Sequence, residues 1–151
     1  MDKIDRMIVR ELQANARIAN VELAKRVGLS ATPCYERVRK LERLGIIEGY
    51  HASVSYNEVG LEARAIILLK LKLDGPMAYS EFTERMKQMP EVEECFFVAG
   101  KNDCLIKVAC TTTRELRDFY IGQLVSLPWV NDAESLFIID TVKNLSGRQI
   151  L

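Results

Sequence analysis

The chain is predicted to be an α+β protein, with three N-terminal helices arranged as a helix-turn-helix and a following β-α-β-β-α-β domain. Three observations predict this. Over residues 1–50 the apolar positions recur at helical spacing in three short runs separated by Asn, Gly and Ser. From residue 62 onward, extended runs rich in Ile and Leu alternate with helical ones. The formal net charge is +0, yet residues 1–50 hold ten Lys or Arg against seven Asp or Glu, and residues 51–151 hold eleven against fourteen. A basic first third joined to an acidic remainder suggests two modules with different partners. The expected division is 1–50 for the first module, 51–61 for a linker and 62–151 for the second domain.

In the first module, Ile4, Ile8, Val9 and Leu12 predict an amphipathic helix over Lys3 to Gln13. A second helix is expected to start near Asn20, a good capping residue, with Val21, Leu23, Ala24 and Val27 inward. Gly28 stands where a helix end favours positive φ. Ser30 or Thr32 is expected to cap a third helix, in whose first turn Pro33 is tolerated because no backbone donor is needed there. Cys34, Val38 and Leu41 line its inward stripe, and Gly45 ends it. Ile46 to Tyr50 is too short for another helix and reads as extended.

The linker lacks a strong period, with a short strand expected at Ala52–Tyr56. Ala63 to Leu73 predicts a long strand, broken by Gly75-Pro76. Phe82, Met86 and Met89 mark a helix from about Ala78 to Gln88, closed by Pro90. Val92 to Ala99 and Cys104 to Cys110 read as strands around a tight turn, Gly100-Lys101-Asn102-Asp103. Thr112 and Glu115 have capping-box spacing, and Leu116, Phe119, Tyr120 and Leu124 form the apolar side of the next helix. Asp132 to Val142 is the expected last strand. This order is the split βαβ, ferredoxin-like arrangement, an antiparallel sheet with both helices on one face. Apolar residues sit on both sides of its strands (Ile66 to Leu69, Phe96 and Phe97), so the open face is expected to be buried against another subunit.

Composition narrows the function. Hydrophobic residues at 48% and charged residues at 28% match a soluble globular chain rather than a disordered or membrane one. No apolar run approaches the roughly 20 residues of a bilayer span. Asp2, Lys3, Asp5 and Arg6 interrupt the segment where a signal peptide would need apolar residues, so a cytoplasmic location is expected. Cys34, Cys95, Cys104 and Cys110 form no C-x-x-C pair and His51 is the single histidine, which argues against zinc and favours reduced, packed thiols. No Ser/His/Asp or Cys/His spacing, and no phosphate-binding glycine loop, suggests catalysis or a cofactor. Glu91, Glu93 and Glu94 read as an exposed loop and strand edge rather than an acid–base centre.

The helix-turn-helix carries the sharpest chemistry. Winding the third helix at about 100° per residue puts Thr32, Glu36, Arg39, Lys40 and Arg43 opposite the buried stripe, with Arg37 on a flank. Cations on this face, with Arg37 beside them, suit a phosphate-lined groove, and all four are expected to contact DNA. Thr32, Tyr35 and Glu36, near the helix N-terminus, are the residues closest to base edges when such a helix lies in the major groove of double-stranded DNA.

The motif residues also resemble a known family. Asn20-Val-Glu-Leu-Ala-Lys-Arg-Val-Gly-Leu-Ser30, then Thr32-Pro-Cys34 and Arg37-Val-Arg-Lys-Leu-Glu-Arg-Leu-Gly45-Ile-Ile-Glu-Gly-Tyr50, are similar to the Lrp/AsnC (feast/famine) regulators, the leucine-responsive branch above all. The opening Asp2-Lys-Ile-Asp5-Arg, and further on Pro90-Glu-Val, Ala99-Gly100-x-x-Asp103 and Leu127-Pro128-x-Val130, extend the likeness over nearly the whole chain. The resemblance implies a winged helix-turn-helix, an ACT-like sensing domain, dimers formed through the sheets, and assembly of dimers into octamers or other rings. It also implies an amino-acid effector, with leucine or methionine favoured, bound between dimers and altering DNA affinity or assembly.

The family's effector site maps onto Gly100, Lys101, Asn102, Asp103 and Cys104. Gly100 brings backbone close to a ligand, turn amides can hold a carboxylate, and Asp103 can pair with an ammonium group. Leu136 and Ile138 are the expected pocket walls on the last strand. Cys104 stands where many relatives carry tyrosine, which changes the size or lining of the pocket. Two alternatives accompany this reading. One is an architectural protein that wraps DNA without an effector. The other is a tetrapyrrole decarboxylase similar to the family, which needs cationic and histidine side chains around a large C-terminal cavity, where this sequence has no histidine beyond His51.

Overall fold

Asp2 starts the first helix. Its carboxylate accepts the Asp5 amide at 2.8 Å while the Asp5 carboxylate accepts the Asp2 amide at 3.1 Å, a reciprocal cap that satisfies two N-terminal donors. This computed structural model describes residues 1–143, which divide into two compact units built on Met1–Ser53 and Val54–Thr141. The expected linker is thus split: 51–53 fall with the first unit and 54–61 with the second.

The first unit holds α1 (Lys3–Ala14), α2 (Asn20–Val27) and α3 (Ala31–Arg43). Ile8, Val9, Leu23, Ala24, Val27, Cys34 and Leu41 form its core, the stripes that the helical spacing put inward, except that Val21 is exposed and Ile4, Leu12 and Val38 only pack against the margin. Gly28 closes α2 at φ +71°, and the Leu29 amide reaches back to the Ala24 carbonyl at 2.9 Å. Gly45, at φ +67°, serves the same purpose after α3. One capping expectation is corrected, and the other holds by position. Ala19 occupies the cap of α2, and Asn20, already helical, donates from its side chain to the Ala31 carbonyl at 2.8 Å, tying the two helix starts together. Ser30 occupies the cap of α3 without a side-chain bond.

The strand expected at 52–56 is not formed; Tyr56–Gly60 is a turn instead. An extended segment becomes a strand only where a neighbour takes its ladder bonds, and the first strand that follows is already flanked on both sides.

The second unit comprises β1 (Ala63–Leu71), α4 (Pro76–Gln88), β2 (Val92–Phe97), β3 (Cys104–Cys110), α5 (Thr113–Phe119) and β4 (Val130–Phe137). Past α5 the helix widens into one π turn, Tyr120–Leu124, closed by a Val125 amide to Tyr120 carbonyl bond of 2.9 Å. The strands lie in the order β2-β3-β1-β4, with every neighbouring pair antiparallel. This is the expected ferredoxin-like topology. Thr112 caps α5 through the Glu115 amide, but the Glu115 carboxylate reaches the Thr111 amide rather than that of Thr112.

Alternation along β1 separates two faces. Ala65, Ile67 and Leu69 are buried with Ile106 and Val108 of β3, Phe82 and Met86 of α4, and Leu116 and Phe119 of α5. Ile66 and Leu68 point to the opposite, helix-free face beside Leu105 and Leu136. The last strand begins and ends earlier than expected. It stops at Phe137, opposite Ala65; only one further bond, Ile138 amide to Arg64 carbonyl at 3.0 Å, continues the ladder before Ile139 becomes almost wholly exposed. β1 begins at Ala63, so past Phe137 the ladder has at most two residues left to pair with and cannot run to Val142. β1 and β2 also end two residues earlier than expected, at Leu71 and Phe97.

The single tryptophan, Trp129, packs edge-on to Phe82 with ring centroids 6.4 Å apart, so its fluorescence reports the second unit. Replacing Ile106 with Ala, in the centre of the sheet, is expected to lower the urea midpoint of that signal, with a stability loss of about 2–5 kcal/mol. An unchanged midpoint would contradict the placement of Ile106 in the core.

Candidate DNA-binding and effector sites

The short turn at Gly28-Leu29-Ser30 and the Asn20 bond to Ala31 set α3 against α2. Its inward stripe buries Cys34 and Leu41, so the opposite side is presented to solvent. Thr32, Tyr35, Glu36, Arg39, Lys40 and Arg43 are all exposed there, Tyr35 at 55% of its full surface. Arg39 pairs with Glu42 at 3.2 Å, and the Tyr50 hydroxyl donates to the same carboxylate at 3.1 Å. Lys40 and Arg43 make no ion pair among the described residues. A phosphate approaching this face therefore competes with Glu42 for Arg39, but meets Lys40 and Arg43 without a carboxylate rival.

Arg37 is placed differently from the other five outward residues and Tyr35. Its guanidinium turns back to α1, 2.6 Å from Asp2 and 2.7 Å from the buried Asp5 carboxylate. The two acids that cap α1 thus also hold α3. Spacing carries a signal for this: Arg37 lies three residues after Cys34 and four before Leu41, on the buried stripe's own flank. The Asp5 amide and then the Arg37 guanidinium hold the Asp2 carboxyl below its usual range, and Asp2 and Asp5 raise Arg37.

In the second unit, residues 98–103 join β2 to β3. The Val98 amide bonds to the Asp103 carbonyl at 2.9 Å and the Asp103 amide to the Leu69 carbonyl at 2.9 Å. One Asp103 carboxylate oxygen accepts the Leu71 amide at 2.8 Å, which pins the end of β1 to the turn. Gly100, Lys101 and Asp103 are exposed and Asn102 is partly buried. A Cβ added to Gly100 would meet nothing within 4 Å, so this backbone is open to approach. Cys104 is fully buried on the helix-covered face. Leu136 lies on the other face, opposite Ile66, and Ile138 lies beyond the end of β4 rather than on it. Cys104 pairs with Leu69 at one end of β1 and Leu136 with Ile66 towards the other, so a single chain does not bring the turn and the two wall residues together.

Two neighbouring features were not read from the sequence. Tyr79 and Phe97 stack beside the turn with centroids 4.7 Å apart, both substantially exposed. Their only sequence signal is the consecutive Phe96-Phe97, which must show one ring to each face of an edge strand. On the helix-free face, a bulge between Val92 and Glu94 lets both Glu93 and Glu94 reach the Lys107 ammonium, each at 3.2 Å. Tyr56 joins them, with Arg64 4.6 Å from its ring centroid. The hydrogen bonds that Lys107 donates to Tyr56, Glu93 and Glu94 raise its pKa despite its partial burial. No group of three or more His, Cys, Asp or Glu is placed to hold a metal ion, and no helix is long and apolar enough to cross a membrane, among the described residues.

The charge clamp on α1 gives a pH dependence with a definite sign. A carboxyl whose pKa is lowered by folding contributes fully above the ordinary aspartate value, about 3.9, and that contribution is lost as pH falls towards the lowered value. Asp2→Asn and Arg37→Gln are therefore expected to lower the thermal midpoint of helical circular dichroism at neutral pH, and the gap to the unaltered protein is expected to close on acidification. A gap that stays constant into strong acid would contradict the clamp.

Comparison with known proteins agrees with the two units. Residues 1–48 match the winged helix-turn-helix DNA-binding family and residues 64–147 match the Lrp/AsnC ligand binding domain. The leucine-responsive regulatory proteins of Klebsiella pneumoniae and Escherichia coli K12 are each 38% identical over all 151 residues, which cover 92% of their length. A transcriptional regulator from Neisseria meningitidis, solved as an L-Met complex, superposes with a TM-score of 0.90 at 34% identity, over 99% of this chain and 96% of that one. The Mycobacterium tuberculosis leucine response regulatory protein superposes with a TM-score of 0.84 at 33% identity, over 99% and 98%. A helix-turn-helix that presents its third helix, joined to a βαββαβ domain matched along its length, makes this chain a member of the Lrp/AsnC family of transcriptional regulators.

Proposed function

We propose that the chain is a cytoplasmic regulator whose grip on double-stranded DNA is changed by a small apolar amino acid, leucine or methionine, bound at the turn of residues 100–103. The observation that carries this reading is the open, hydrogen-bonded turn itself, in a domain that matches the family's ligand-binding domain. The L-Met complex of the Neisseria meningitidis relative supports the ligand class. An α-amino acid presents one anion, one cation and an apolar tail. The amides at Gly100 and Lys101 suit the carboxylate. Asp103 spends one oxygen on the Leu71 amide and has the other for the ammonium group. Asn102 lends a further polar contact, and Cys104 supports the turn from beneath.

Leu136 and Ile138 complete the site only if they come from another subunit, because within one chain they stand apart from the turn. This favours a site between dimers. The dimer forms through the helix-free face, where Ile66, Leu68, Leu105 and the half-exposed Phe96 make an apolar stripe with charges of both signs around it. Dimers then assemble further, an octamer being the expected ring.

On DNA, Thr32, Tyr35 and Glu36 read base edges while Arg39, Lys40 and Arg43 meet phosphates. Arg37 braces the recognition helix instead. Neither the DNA-wrapping nor the decarboxylase alternative has an observation of its own in its favour.

Calorimetric titration with leucine and methionine tests the ligand site. Asp103→Asn keeps an acceptor for the Leu71 amide but removes the charge, so amino-acid affinity is expected to fall about 10- to 100-fold with the fold intact. Unchanged affinity would contradict the assignment. For the DNA face, Ala at Arg39, Lys40 or Arg43 is expected to reduce the steepness of log K against log salt by about 1 each. An unchanged slope in all three variants would refute the phosphate contacts.

A further inference from the structure

We propose that Cys95 and Cys104 form a peroxide-responsive thiol pair that closes to an intramolecular disulfide. Their sulfur atoms are 3.6 Å apart across neighbouring strands. The pair is diagonal in the ladder, because Cys95 faces Ile106 and Cys104 faces Phe97. Cys95 is exposed and gives an oxidant access, while Cys104 lies buried behind it. This is the layout of an attacking thiol with a resolving partner.

Closing the gap from 3.6 Å to the about 2.05 Å of a disulfide needs a small displacement, and β2 is the strand able to make it. It is an edge strand, paired only to β3, with a bulge near its start and the 98–103 turn at its end. A diagonal bridge departs from relaxed disulfide geometry, which makes it readily reducible and suits a reversible modification rather than a structural staple. Charge agrees with geometry. The hydrogen bond with Cys104 holds the Cys95 thiol below its usual range, whereas the same bond and burial push Cys104 up. Cys34 and Cys110 are buried, burial pushes Cys34 up, and burial with Glu115 and Glu91 nearby pushes Cys110 up to about 11, so neither meets the oxidant as an exposed thiolate.

The chemistry balances with a hydroperoxide as oxidant. The Cys95 thiolate attacks the terminal peroxide oxygen. An S–O bond forms, the O–O bond breaks, the sulfur gives up two electrons, and hydroxide or alkoxide leaves with the electron pair. The Cys104 thiol then attacks the sulfenic sulfur; the S–S bond forms, the S–O bond breaks, and hydroxide departs with the thiol proton as water. Two equivalents of an external thiol restore both cysteines. The bridge ends one residue from Asp103, so oxidation is expected to weaken amino-acid binding at the turn; this consequence rests on the effector reading above, and the disulfide does not.

The full-length protein is treated with hydrogen peroxide, its remaining thiols are alkylated, and unreduced peptides are analysed by mass spectrometry. The expected product is a Cys95–Cys104 cross-link lighter by two hydrogens and reversed by dithiothreitol, with Cys34 and Cys110 alkylated. In Cys104→Ala, Cys95 is expected to stop at a dimedone-reactive sulfenic acid. In the surface variant Cys95→Ser, which leaves the core untouched, Cys104 is expected to stay reduced. Oxidation of Cys95 to sulfinic acid without a cross-link, a bridge between two copies of the chain, or oxidation of Cys104 in Cys95→Ser would each overturn the proposal. Equal leucine and methionine affinities for the oxidised and reduced protein would overturn the coupling to the turn alone.

Discussion

A guanidinium shared by two carboxylates sets the orientation of the exposed face of α3. Arg37 leaves α3 on the margin of its buried stripe and reaches Asp2 and Asp5 at the start of α1. Those carboxylates are already committed to capping α1, and Asp5 is nearly excluded from water. Removing Arg37 would strand a buried acid and loosen the cap in the same event. The apolar core beneath, Ile8, Leu23 and Leu41, is non-directional and would tolerate some rotation of α3 about its own axis. The charge clamp does not, since both ion pairs depend on which way α3 is turned. The base-reading role proposed for Thr32, Tyr35 and Glu36 requires that rotation to be held.

The second unit solves a different problem with alternation. β1 buries every second side chain under α4 and α5 and shows the others to the helix-free face. The same period makes Asp103 both a turn residue and a strand clamp, because it follows β2 and meets the end of β1. A ligand drawing on the Asp103 carboxylate would therefore act on the seam between β1 and β3, the two central strands. That seam is a physical route from a bound amino acid to the sheet through which subunits are proposed to pair, and it needs no large movement within the chain.

Much of the fold was legible in the sequence because burial periodicity is local. All three N-terminal helices, the topology of the sheet and the Gly28 and Gly45 helix ends follow from spacing and backbone sterics. What was not legible depended on partners distant in the chain. Asn20 looked like a cap, yet its amide bonds eleven residues away to Ala31. Arg37 looked like a flanking cation, and its partners are at positions 2 and 5. β4 appeared to run to Val142 because Ile138, Ile139 and Val142 continue an apolar pattern, but the ladder stops where β1 begins. The turn of residues 100–103 was legible as a turn, and as a binding site only through family resemblance. That Cys104 and Leu136 lie on opposite faces follows from the strand register, which composition does not reveal.

The proposed regulator couples amino-acid binding to DNA binding within one chain. The most direct test is the affinity of the full-length protein for DNA upstream of its own coding region, measured by gel shift with and without each common amino acid. Tight, specific binding is expected, with a half-saturation point that leucine or methionine moves by a factor of about 5 to 150, the usual size of coupling between two sites. Specific binding that no amino acid alters would contradict the sensing half of the account, and no specific binding at moderate salt on that DNA or on a random operator library would contradict the other.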